Sequence, residues 1–175
     1  MVLMRLHALS YLLIPKRRDR EITFESASGF KITYLTRCKT DKNESTSVKL
    51  YIYLTDYAPV DAVTVSTDES FDEYATLDTV TQRYTDAILG AYTDLTVVEK
   101  GHATLGGHPA FHTVYTGTIT VHYGDEDMRE ETLKINQAWT IRQGRAYLVT
   151  FKALIEDYDR YLAQAQRIID SFTLV

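Results

Sequence analysis

Pro109-Ala110-Phe111-His112-Thr113-Val114-Tyr115-Thr116-Gly117-Thr118-Ile119-Thr120-Val121-His122-Tyr123 is the stretch on which the fold turns. Phe111, Tyr115, Ile119, Val121 and Tyr123 take one parity; His112, Thr116, Thr118, Thr120 and His122 take the other. A period of two over this length belongs to an extended strand, whose side chains alternate between sheet faces. Leu105-Gly106-Gly107 supplies a turn before it, and the acidic Gly124-Asp125-Glu126-Asp127 one after it. Residues 134–141 read as the next strand, with Ile135, Trp139 and Ile141 inward, and Gln143-Gly144 turns the chain into a third marked by Tyr147, Val149 and Phe151. Long neighbours joined by turns form an antiparallel meander, which needs no crossover helices.

Working outward, residues 158–171 place Tyr158, Tyr161, Leu162, Ala165, Ile168 and Ile169 at helical spacing, with Phe172 just beyond. Upstream, residues 95–99 and 103–105 read as strand. A helix is expected to open at Ser70, where Ser70-Phe71-Asp72-Glu73 has the form of a capping box. Phe71, Tyr74, Leu77, Tyr84 and Ile88 supply its apolar stripe, and Gly90 is placed to end it in a left-handed turn. Earlier still, residues 62–66 form a short β-branched strand. Val48, Leu50, Ile52 and Leu54 share one strand face, with Lys49, Tyr51 and Tyr53 on the other. Residues 40–46 are polar and read as a loop. Residues 21–26 and 30–34 alternate about Ser28-Gly29 as a hairpin. Two amphipathic helices need an apolar sheet to cover. The expected fold class is therefore α+β: an antiparallel β-sheet flanked by helices, an α/β/α sandwich over residues 21–175, preceded by a basic, apolar arm over residues 1–20.

Composition bounds the function. The 175 residues fit one domain, and 45% hydrophobic content is ordinary for a globular chain. One cysteine, Cys38, excludes an internal disulfide and a multi-cysteine zinc site. A net charge of -5 argues against a nucleic-acid partner, which requires a cationic footprint. The charge is uneven, since the arm carries Arg5, Lys16, Arg17, Arg18 and Arg20 against Asp19 alone. No stretch reaches the roughly 18 apolar residues of a membrane span. The apolar run 8–14 is short for a secretory signal and lacks a cleavage motif, so an intracellular, non-secreted location is expected, with an organellar address suggested by the basic start.

No catalytic constellation emerges. Gly-x-Ser-x-Gly and phosphate-cradling patterns are absent. Asp125, Glu126, Asp127, Glu130 and Glu131 lack calcium-loop spacing and read as a solvated hairpin tip. His112 and His122 are too far apart on one strand to share an ion. His102 and His108 flank the Gly106-Gly107 turn and could approach each other, which leaves a small-ligand or metal carrier as the alternative function. Tyrosine is the compositional oddity, with 13 copies against one Trp. Its apolar ring and polar tip suit interfaces.

Leu105-Gly106-Gly107-His108-Pro109-Ala110 leading into a long strand, Gly144-Arg145-Ala146-Tyr147-Leu148-Val149-Thr150, and the closing Ile168-Ile169-Asp170-Ser171-Phe172 resemble the PsbP-like and Mog1-like superfamily, including DcrB-type domains, over residues 21–172. The resemblance implies an α/β/α sandwich in a family of mostly non-enzymatic proteins: extrinsic photosystem subunits, assembly factors, a Ran-binding factor and chaperones. The Ran-binding acidic motif of the Mog1 branch has no match here. The expectation is a non-catalytic accessory or assembly subunit that binds protein partners in a larger complex. It would need no cofactor, and the isolated domain would be a monomer. Leu9, Tyr11, Leu12, Arg17 and Arg18 of the arm, with Tyr51 and Tyr53, are the candidate partner-binding residues.

Overall fold

The structure is a computed structural model that describes residues 19–43, 47–51, 62–122 and 128–175. Its elements follow in order as β1 (Glu21–Ser26), β2 (Phe30–Leu35), β3 (Lys39–Asn43), β4 (Ser47–Tyr51), β5 (Ala62–Asp68), α1 (Leu77–Ala91), β6 (Thr93–Leu105), β7 (His108–His122), β8 (Met128–Arg142), β9 (Arg145–Leu154), α2 (Tyr158–Asp170) and β10 (Thr173–Leu174). The meander is present as β6 to β9 and forms one side of a seven-stranded sheet of order β3-β4-β5-β9-β8-β7-β6. Every described pairing is antiparallel, and β9 is the central strand. The hairpin β1–β2 does not join this sheet. With β10 it makes a separate three-stranded sheet, whose turn is tied to β9 by Tyr147, the hydroxyl donating to the Ser28 carbonyl at 3.1 Å.

Alternation along β9 assigns the faces. Tyr147, Val149, Phe151 and Ala153 point to one side and join Val48, Leu50, Val63 and Val65 of β4 and β5. This layer is covered by Phe30, Ile32 and Tyr34 of β2 and by Tyr158, Tyr161, Ala165 and Ile168 of α2, with Phe172 closing the end. Ala146 and Leu148 point the other way, where Trp139, Phe111 and Ile141 meet Val80, Leu77 and Tyr84 of α1. A smaller cluster of Tyr115, Leu133 and Ile135 continues that side beneath Ile88 and Tyr92. The two helices thus lie on opposite faces of the central sheet, as the expected sandwich requires.

Four local expectations are corrected. The helix begins at Leu77, not Ser70. The Ser70 amide and hydroxyl both donate to Asp68 Oδ1, at 2.9 and 2.6 Å, so Ser70 is held by the strand end and cannot cap. Thr76 caps instead, its side chain accepting from the Thr79 amide at 3.2 Å. Tyr74, outside the helix, is 82% exposed and drops out of the stripe. Gly90 does not end α1 in a left-handed turn, because the helix runs on to Ala91 and Tyr92 is already extended. The glycine that matters there is Gly117 on β7, where a Cβ would lie 2.7 Å from that of Tyr92. Residues 40–43 of the supposed loop belong to β3, since an edge strand needs only backbone pairing and tolerates polar side chains. Finally, Glu130 and Glu131 lie within β8 opposite Thr120 and Ile119, not at a hairpin tip. Residues 52–54, 44–46 and 124–127, on which other expectations fell, lie outside the described residues.

Candidate binding clefts beside the C-terminal helix

The helix α2 is amphipathic with a narrow buried stripe, so its two flanks overhang the layers below without filling the space. One flank faces the β1–β2 hairpin across a groove of about 500 Å3. Tyr34, Leu35, Ala163 and Ile168 give it an apolar floor, and Arg37, Arg160 and Arg167 stand around it. Arg37 is positioned from both sides, by Asp19 at 3.1 Å and by the Gln164 Oε1 that accepts from it at 2.8 Å. Arg160 lies over the Tyr161 ring and 3.9 Å from Asp157. Ser171 closes the end: its hydroxyl accepts from the Thr33 amide at 2.8 Å, standing in for a missing strand neighbour. Glu21 is the acid that lines this groove. Cys38 lies beneath, 3.7 Å from Gln164 Nε2; burial pushes its thiol up, which keeps it protonated and unreactive.

The other flank faces β6, β7 and β8 across a cleft of about 450 Å3. Its ionisable lining is His112 and Asp170. His112 Nε2 lies 2.9 Å from Asn136 Oδ1, and Nδ1 is 4.0 Å from Glu99. Asn136 also bonds the Tyr158 hydroxyl, whose pKa is raised, chiefly by burial. Asp170 accepts from Gln166 at 2.7 Å. Ala103, Ala138 and Phe172 make the walls apolar. α2 therefore separates a cationic groove from one lined by a single histidine and a single aspartate.

The ladder settles the histidine pair. His102 is opposite Phe111 and His108 opposite Leu105, three positions apart in register. Direct partners share a face and odd offsets do not. His102 accordingly points to the α1 side, its ring edge-on to Phe111, while His108 points to the α2 side with Leu105. They cannot share one ligand, which corrects the expected approach of the pair. Among the described residues no group of three or more metal-ligating side chains converges. Of the candidate partner-binding residues, Tyr51 is described: it ends β4, half-buried, with Lys49 Nζ 4.6 Å from its ring centroid. Leu9, Tyr11, Leu12, Arg17, Arg18 and Tyr53 lie outside the described residues. The groove arginines escaped the sequence reading because they come from the turn after β2 and from a helix far along the chain, and only the packing of α2 on β2 unites them.

No protein-family model and no curated protein sequence matches the chain. Solved structures do. Cyanobacterial PsbP (CyanoP) from Synechocystis sp. PCC 6803 aligns at 14% identity and TM-score 0.52, over 89% of this chain and 92% of that one. LpqN, involved in cell envelope biogenesis of Mycobacterium tuberculosis, aligns at 13% identity and TM-score 0.56, over 90% and 92%. The Saccharomyces cerevisiae Ran-binding protein Mog1p aligns at 10% identity and TM-score 0.53, over 90% and 95%. At these identities the likeness is one of fold. The chain has the PsbP/Mog1-like fold, in agreement with the resemblance read from its turns and closing helix. No helix among the described residues is long and apolar enough to cross a membrane.

Proposed function

We propose that the protein is a non-catalytic accessory subunit that docks a protein partner through its basic arm and the arginine-lined groove. The observation that carries this reading is where the arm enters. Asp19 pairs with Arg37 at the groove, and the Arg20 backbone is held by Thr36, its carbonyl accepting from the Thr36 amide at 2.8 Å. Arg20, the last residue of the arm, is thus held beside the groove that Arg37, Arg160 and Arg167 line, a local concentration of positive charge on a protein whose net charge is -5. A partner with an acidic segment and one or two apolar anchors suits such a groove, because charge complementarity sets orientation and encounter rate while the floor supplies burial. That one protein of the same fold is Ran-binding supports a protein-binding role for this scaffold.

The test compares partners co-purified with the endogenous protein, with Arg160→Glu/Arg167→Glu, and with a form lacking residues 1–18. Arg160 and Arg167 are exposed, so the double variant should melt within a degree or two of the parent. Loss of the same partner from both altered forms is the expected result. Full recovery with both would overturn the reading.

A further inference from the structure

Lys152 is out of place. It lies on β9, the central strand, and points to the α1 side of the sheet. Register flanks it with Ala62 of β5 and Ile135 of β8, which are 2% and 0% exposed. A lysine set between such neighbours loses much of the hydration of its charge, and buried cations are ordinarily paired. Among the described residues no carboxylate pairs with it. The charged group that acts on it is another cation, Lys49 of β4.

The hydrogen bonds running toward this spot all point the same way. The Tyr115 hydroxyl donates to Gln137 Oε1 at 3.0 Å, and burial raises the tyrosine's pKa so that it keeps its proton. Gln137 Nε2 in turn donates to Thr150 Oγ1 at 3.1 Å. With its oxygen occupied, Thr150 has a hydroxyl proton to pass on. The next positions across the ladder are Thr64 on β5 and then Lys49 on β4. Thr150, Thr64, Lys49 and Lys152 therefore bring donors to one area of the sheet face, and each keeps part of its surface open. Among the described residues, what is missing is an acceptor with negative charge.

We infer that this face, between β4 and β9, is an oxyanion site that takes the phosphate group of a small ligand, held by Lys49 and Lys152 with the Thr64 and Thr150 hydroxyls. Ammonium and hydroxyl groups are compact donors that suit a tetrahedral oxyanion, whereas a planar carboxylate is matched by the guanidinium fork. The site lies on the opposite face from the arginine groove and stands independently of the proposed partner docking.

The test uses the full chain, with inorganic phosphate and methyl phosphate as probes and acetate and chloride at matched ionic strength as controls. Calorimetric titration should show binding of the phosphates, and thermal unfolding should show a rise in Tm with phosphate concentration that acetate and chloride do not produce. Lys49→Met and Lys152→Met should each weaken phosphate binding by about tenfold or more, one charge-assisted contact being worth at least that. In phosphate-free buffer Lys152→Met should melt above the parent, since it removes a half-buried charge that no carboxylate among the described residues pairs. Equal Tm responses to phosphate and chloride would overturn the assignment. So would a Lys152→Met variant that folds, melts below the parent and binds phosphate unchanged, because the lysine would then be neutralised within the chain. Lys49→Met, nearer the sheet edge, decides the matter if the Lys152 variant does not fold.

Discussion

The two faces of the central sheet are built from alternate residues of the same strands, yet they differ in kind. Over β4, β5 and β9 the α2 face is one continuous apolar layer, from Val48 and Leu50 across Val63, Val65, Val149 and Phe151 to the underside of α2. The α1 face is divided. Its apolar patch around Trp139 and Val80 is separated from the one around Ile135 and Leu133 by the row Thr113, Gln137, Thr150, Thr64 and Lys49. Burial of apolar area stabilises a fold without regard to direction, but a row of polar side chains fixes where hydrogens point. The first face holds the molecule together. The second carries the aligned hydrogen-bonding groups.

The largest expected effect tests the first half of that contrast. Phe151 is fully buried on the central strand, with its ring centroid 4.9 Å from that of Tyr158. Phe151→Ala removes the contact at the middle of the continuous layer and should cost about 3–5 kcal/mol in denaturant unfolding. A loss below about 1 kcal/mol would mean that α2 and the small sheet close over the gap, and that the layer is less tightly packed than its burial indicates.

A smaller effect sharpens the second half. Gln137→Leu keeps the bulk of the side chain but removes the acceptor of the Tyr115 hydroxyl, which keeps Tyr92, and leaves Thr150 without its donor. Each hydrogen bond lost in this way costs about 0.5–1.5 kcal/mol. The variant should therefore lose less stability than Phe151→Ala, and it should also weaken phosphate binding, because Thr150 is free to turn its proton elsewhere. Full retention of phosphate affinity would show that the polar row is structural and does not orient the site.

How much of this could be read in the sequence follows from the same contrast. The apolar face was legible because period two needs no partner to be recognised: Tyr147, Val149 and Phe151 declare a buried side wherever the strand is placed. The turns that set register were legible too. Gly106 and Gly107, at φ 58° and 82°, and the Gln143-Gly144 pair, at 52° and 73°, are two-residue hairpin loops that suit positive φ. The polar row was not legible, because Gln137, Thr150 and Thr64 come from three strands and align only once those registers are known. Lys152 looked like any polar residue of an alternating strand; it becomes anomalous only because β9 is central. The helix start was misplaced for a related reason. Ser70 has the right spacing to cap, but Asp68, two residues earlier at the strand end, takes both its donors. Competition between two local signals is decided by tertiary position, which spacing alone does not carry.

The smallest effect is a pH dependence whose sign separates the two faces. Burial, with Lys49 adding to it, holds the Lys152 pKa below its ordinary 10.5. Below the lowered folded value, both native and unfolded chains carry the proton and the full penalty of the buried charge acts. As pH rises through that value the native chain releases its proton while the unfolded chain keeps it, so stability rises until 10.5, above which both are neutral. Buried tyrosines act in the opposite sense above their ordinary value of 10.0, since Tyr84 is pushed up to about 12, mainly by burial, and Tyr115 is raised too. The lysine contribution is therefore isolated by difference: the Tm advantage of Lys152→Met over the parent should shrink as pH rises toward 10, while the effect of the tyrosines, common to both proteins, cancels. Parallel curves would mean that Lys152 holds its proton equally in both states. The α1 face would then be as well hydrated there as an unfolded strand, and the asymmetry between the faces would reduce to composition without electrostatic consequence.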